Sequence, residues 1–205
     1  MSRLVRGISL WTTVAGLVAY ATPAAAQRVS LAPTVGVYIP TAELTKALAG
    51  QQFKQEVGLA LGGRLGIDFS RRLGFQATGA YVPSNLRYSF DQSQQTTDAN
   101  LFFGSGKLAF FVIPPNRTVS FQVNGGVAMV RRSGTAYAEL QDKTSIGGTV
   151  GALLAVGLGP IPLQLGAEAY LYKQNLDGLT SAAGEPVSQR DIQLSIGFGF
   201  PMGGR

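Results

Sequence analysis

Glu56-Val57-Gly58-Leu59-Ala60-Leu61-Gly62-Gly63-Arg64-Leu65-Gly66-Ile67-Asp68-Phe69 alternates between two kinds of residue. Val57, Leu59, Leu61, Leu65, Ile67 and Phe69 take one parity; Glu56, Gly58, Ala60, Gly62, Arg64, Gly66 and Asp68 take the other. Side chains of a β-strand point alternately to its two faces, so this stretch is a strand with one greasy face and one small or charged face.

The same period recurs at residues 29–39, 73–81, 102–112, 119–129, 146–158, 163–172 and 191–200, which makes eight strands in all. Past Pro83 the phase slips, with Leu86, Tyr88 and Phe90 now apolar, so a bulge or a loop hairpin is expected there. Residues 146–163 carry no charge and raise the question of a membrane helix. Their five glycines and Pro160 argue for a strand instead.

The connections alternate in length. Ser70-Arg71-Arg72, Pro114-Pro115-Asn116-Arg117 and Gly159-Pro160-Ile161-Pro162 are tight turns, whereas 41–55, 83–98, 132–143 and 174–189 are long and mostly polar. Short turns at one end and long loops at the other are the layout of an outer-membrane barrel, the short ones facing the periplasm. The first loop has a helix-like cap, acidic first turn and glycine stop between Pro40 and Gly50, so a short helix is expected there.

Alternation alone does not choose between a membrane barrel and a soluble one. A soluble exterior should be rich in Lys, Glu and Asp, but the second face here is mostly Gly, Ala, Ser, Thr and Gln, which suits a narrow lumen. Phe69, Phe75, Phe110, Phe121, Phe198 and Phe200 fall on the greasy face near the short-turn end, as a periplasmic aromatic girdle would. Glu56, Arg64, Asp68, Lys107 and Glu168 fall on the lumen face. Buried charges must pair, so Arg64, Lys107 and Glu168 are expected to form a cluster that fills the barrel.

At the N-terminus, Arg3 and Arg6, an apolar run over 8–21 and Ala24-Ala25-Ala26 read as a cleavable signal peptide over 1–26, leaving one barrel domain over 27–205. The chain has no Cys, which excludes disulfides and a lipidated cysteine. It has no His, which excludes the histidine-based triads and removes the commonest metal ligand. No cofactor motif or metal-ligand spacing is present, and the basic residues are too scattered for nucleic acid. Asn116-Arg117-Thr118 matches a glycosylation sequon only by chance.

The last strand, Leu194-Ser195-Ile196-Gly197-Phe198-Gly199-Phe200, resembles the aromatic-ended segment read by the barrel assembly machinery. With the alternation over 28–200, the chain resembles the small eight-stranded outer-membrane barrels similar to outer membrane protein X and the transmembrane domain of outer membrane protein A. Pro201-Met202-Gly203-Gly204-Arg205 departs from the usual aromatic end. The resemblance implies an all-β, up-and-down transmembrane barrel in the cell outer membrane, with outer-membrane lipid and the assembly machinery as partners. Related barrels that modify lipid A generally use a histidine, so this chain is expected not to be an enzyme. The leading function is structural or surface-interacting, as a monomer, with Tyr88, Phe90, Tyr137 and Leu179 in the long loops offered to an extracellular partner. A narrow pore and a soluble periplasmic carrier of an apolar ligand are the alternatives.

Overall fold

The computed structural model describes residues 28–41, 51–90, 93–115, 118–159, 161–175 and 186–202, with only the backbone for 51–54, 88–90 and 93–95. The expected signal peptide, the first-loop helix, Leu179 and Asn116-Arg117 lie outside the described residues, as do the side chains of Tyr88 and Phe90.

Among the described residues the strands are β1 (Arg28–Pro40), β2 (Gln51–Gln55), β3 (Gly58–Asp68), β4 (Leu73–Val82), β5 (Asn85–Phe90), β6 (Ser93–Asp98), β7 (Asn100–Ile113), β8 (Val119–Ser133), β9 (Thr144–Leu158), β10 (Ile161–Gln174), β11 (Val187–Phe198) and β12 (Phe200–Met202). β1, β3, β4, β7, β8, β9, β10 and β11 pair antiparallel in sequence order, and β11 returns to β1, closing an eight-stranded barrel. The 146–163 stretch is the β9–β10 hairpin.

The closing seam runs from Thr34↔Gly197 to Pro40↔Asp191 and resumes at Leu31↔Phe200 through Val29↔Met202 in the same register. β12 is thus β11 continued. The interruption falls opposite Pro33, which has no N–H to give. The last strand therefore runs two residues past the aromatic Phe200, to Met202.

β7 and β8 shift register between Phe111 and Ile113. There Arg72 Nη1 donates to the carbonyls of Phe111 (3.0 Å) and Val112 (2.8 Å), so the turn arginine satisfies the acceptors freed by the bulge.

The phase slip at Pro83 is a kink where β4 passes into β5. Ser84 Oγ donates to Glu56 O at 2.8 Å, and Glu56 N donates to Asn85 O at 2.9 Å. Above this kink β2, β5 and β6 form a separate three-stranded sheet, an outward extension of β3, β4 and β7. Residues 51–55 read as loop because Gln51-Gln52-Phe53-Lys54-Gln55 has no sustained apolar alternation, whereas Leu86, Tyr88 and Phe90 of β5 show the period behind the expected bulge or hairpin.

Face assignment follows parity. Leu59, Leu61, Leu108, Phe110, Val127, Val150, Leu165, Leu194 and Phe198 are exposed, whereas Arg64, Gln76, Lys107, Gln122, Glu168 and Gln193 are buried. Apolar outside and polar inside is the reverse of a soluble carrier, and only a hydrocarbon surround removes that exterior from water. The six girdle phenylalanines all lie on the outer face at the short-turn end, Phe69, Phe110, Phe198 and Phe200 exposed and Phe75 and Phe121 half-buried.

Val127 lies near mid-belt and is 67% exposed. Val127→Arg is expected to lower stability by about 2–4 kcal/mol in urea titrations in phospholipid vesicles, and Val127→Leu to leave it unchanged. A soluble barrel would show no loss with arginine.

Candidate functional site

The candidate site is the lumen, and its narrowness comes from residues too small to be noticed singly. A Cβ on Gly126 would lie 2.1 Å from Gly106 O, and one on Gly166 only 2.4 Å from Arg64 Nη2. The first lets the neighbouring strands β7 and β8 pack closely, and the second makes room for the Arg64 guanidinium.

At mid-height Lys107 Nζ of β7 lies 2.6 Å from Glu168 Oε1 of β10, and Arg64 Nη2 of β3 lies 3.8 Å from the same oxygen. The other carboxylate oxygen accepts from Tyr170 OH at 2.8 Å and Thr78 Oγ1 at 3.3 Å. Thr78 has one proton; with that spent on Glu168, Ser105 Oγ donates to Thr78 Oγ1 at 2.5 Å. Arg64 completes its fork on Gln164 Oε1 (3.1 Å) and Ser195 Oγ (2.9 Å). One carboxylate thus ties four strands across the barrel, with two cations sharing it.

The other two lumen charges named from sequence stand apart. Asp68 is on the Arg64 face but four residues further down, about 13 Å along a strand. It lines the mouth of a 330 Å³ cavity open at the short-turn end, with Arg28, Gln76, Gln122 and Gln164 around it and Arg64 at its roof. Glu56 lies beyond the kink, where Arg87 Nη2 reaches its Oε1 at 2.6 Å. Of the five lumen charges named from sequence, the structure brings together Arg64, Lys107 and Glu168 and leaves Glu56 and Asp68 apart, because the chain bends at Glu56 and Asp68 ends its strand.

Sequence reasoning missed a second network toward the long-loop end. Arg132 was placed in a loop, but β8 continues to Ser133 and turns Arg132 inward. Its Nη2 donates to Tyr172 OH at 2.9 Å, Tyr172 OH donates to Asp191 Oδ2, and Nη1 donates to Gln174 Oε1. The guanidinium also faces the rings of Tyr172 (5.3 Å) and Tyr137 (5.8 Å). Parity carried past Met129 along β8 would have found it.

Tyr137 was expected to face a partner. Instead the 3-10 turn Thr135–Tyr137 drops it wholly into the barrel mouth, where its hydroxyl donates to Gln55 Oε1 and Gln55 Nε2 donates to Ala99 O at 2.9 Å. Burial raises the Tyr137 phenol above its ordinary value, so it stays a neutral donor. Around it Tyr38, Val82, Leu86, Leu101, Phe103, Val130 and Leu140 form an apolar core. The outer half of the lumen is therefore filled by this apolar core beside the Arg132 network, not lined by small polar residues as the face composition suggested.

No protein-family model and no curated protein matches the chain in sequence. Solved structures do match it in shape. The outer membrane protein OprG from Pseudomonas aeruginosa aligns over 87% of this chain and 97% of that one, at 12% identity and a TM-score of 0.67. Neisserial surface protein A aligns over 86% and 97%, at 15% identity and a TM-score of 0.53. The outer membrane protein AlkL aligns over 86% and 89%, at 13% identity and a TM-score of 0.51.

Glu168→Ala is expected to cost about 3–5 kcal/mol by leaving Lys107 and Arg64 facing each other unpaired. Lys107→Met with Glu168→Gln should recover most of that, read as the urea midpoint of the heat-modifiable folded band. Closed strands, an apolar exterior and these neighbours together give the chain the fold of the small eight-stranded outer-membrane β-barrels.

Proposed function

We propose that the chain is an exported, non-enzymatic barrel of the bacterial outer membrane, monomeric and closed to solutes, that acts through what it holds outside the membrane. Residues 1–26 serve as its export signal, and the barrel closes on its own two end strands, so no second copy is needed to cover an edge.

The observation that carries this reading is the double obstruction of the lumen. The Arg64–Lys107–Glu168 cluster crosses it at mid-height, and Tyr137 with Leu140, Leu86 and Leu101 fills it above. A permeating ion would have to displace an ion pair and then an apolar core. The β2–β5–β6 sheet stands on the outward-facing side. With the barrel plugged, that side is what remains available to an extracellular partner.

A narrow pore is the second reading, favoured by the cavity that opens at the short-turn end and reaches Arg64. The two separate in planar bilayers. The closed barrel is expected to be silent. Discrete conductance steps that change in Glu168→Ala or Arg64→Ala would replace it with the pore.

A further inference from the structure

Outward-facing cations are unevenly placed around the long-loop end of the barrel. Arg131 on β8, Lys173 on β10 and Arg190 on β11 all have exposed side chains on the outer face, by the parity of their strands. They also share one height. Arg131 pairs with Thr144, Leu171 with Arg190 and Lys173 with Ser188. Strands of such a barrel tilt, so a level line slips about one residue against the register at each strand. That slip carries the level of Arg131 through Thr144 or Ser145 to Lys173 and then to Arg190. Followed the other way, the same level meets Asn100, Pro83 and Val57, which carry no charge.

Immediately below the arc the surface is apolar: Met129, Ile146, Leu171 and Ile192 are exposed, Ile146 by 78%. Between β9, β10 and β11 the surface is concave. A groove of 470 Å³ has Ile146 and Leu171 at its base and Lys173, Ser188 and Arg190 at its upper edge. Among the described residues, none of the three cations lies within 4.0 Å of a carboxylate. Among the described residues, Asp142 lies one step further out, its Oδ2 at 3.5 Å from Asn175 Nδ2.

We infer that this groove is a binding site for a phosphorylated lipid of the outer leaflet, its phosphate held by Lys173 and Arg190 and an acyl chain lying on Ile146 and Leu171. Charge complementarity selects an anionic headgroup, and the arc's position at the top edge of the belt puts the cations at headgroup depth. A soluble anion would use the cations and leave the apolar floor uncovered, whereas an amphiphile meets both. Arg131 and the exposed Lys143 extend the arc toward β8, within reach of a second phosphate on the same headgroup. The inference rests on the membrane reading of the barrel, which heat-modifiable mobility tests independently.

The experiment is native mass spectrometry of the full folded chain in detergent, titrated with bis-phosphorylated lipid A, its dephosphorylated form, and inorganic phosphate. Folding is checked by gel mobility before and after boiling. Bis-phosphorylated lipid A is expected to bind as a discrete adduct. Lys173→Gln with Arg190→Gln should weaken it about tenfold or more, and Arg71→Gln at the opposite end should not. Equal binding of the dephosphorylated lipid, or no loss in the double variant, would overturn the proposal. Displacement of the lipid by inorganic phosphate at equal concentration would instead assign the cations to a free anion and remove the lipid from the account. Should the double variant not fold, Lys173→Gln and Arg190→Gln singly give the same reading at smaller amplitude.

Discussion

The structure depends on one constraint, that no backbone N–H or C=O can be left unpaired where hydrocarbon surrounds it. Closure of β1 on β11 meets that constraint for the whole sheet, because each remaining strand has a partner on both sides. The seam also shows how little slack there is. Pro33 withholds one donor, and pairing resumes beyond it in unchanged register rather than shifting. At the other irregularity, between Phe111 and Ile113, a side chain from the neighbouring turn takes over the freed carbonyls.

Closing a sheet of eight strands leaves an interior that only side chains can fill, and the filling changes with height. Near the short turns the lumen is amide-lined and open to water. At mid-height Glu168 is held from four directions, so its carboxylate costs less to bury than its isolation would suggest. Toward the long loops the inward parity passes to Val82, Leu101, Phe103 and Val130, and a tyrosine from outside the sheet completes the layer. Phe103 stacks obliquely between Tyr38 (5.3 Å) and Tyr170 (4.8 Å), which joins the apolar layer to the ionic one through the Tyr170 hydroxyl. The plug and the charge cluster are therefore one packed unit.

The sequence displayed the barrel because its exterior and interior face different solvents, and that difference is written at every second residue. Arg64, Lys107 and Glu168 were legible as lumen residues for the same reason, most clearly Glu168, whereas the run around Lys107 is interrupted by Gly104 and Gly106 and carries Phe103 on its lumen parity. Arg132 was not, since Arg131-Arg132-Ser133 reads as a polar loop until the strand is known to continue, at which point parity separates an inward arginine from an outward one. Tyr137 carried no signal at all, because its burial depends on a turn outside the sheet folding back over the mouth. In the β2–β5–β6 sheet β5 has a period to display, through Leu86, Tyr88 and Phe90, whereas Gln51–Gln55 and Ser93–Asp98 have no sustained apolar alternation and look like loop.

Two chemistries mark the two edges of the apolar belt. At the short-turn edge the marker is aromatic, with Phe69, Phe110, Phe198 and Phe200 on the outer face. At the other edge it is cationic on one side, through Arg131, Lys173 and Arg190, and aromatic on the other, through the exposed pair Tyr81 and Phe102. Along β10, Leu163 stands opposite Phe198 in the girdle and Lys173 stands in the arc, ten residues later. Ten residues of strand tilted at about 40° rise about 25 Å, which is the height of the apolar band of such barrels. The spacing between phenylalanine and lysine thus fixes where the lipid begins and ends. It also requires that the basic arc meet headgroups rather than acyl chains, a condition that an arginine one turn of the pleat lower would not satisfy.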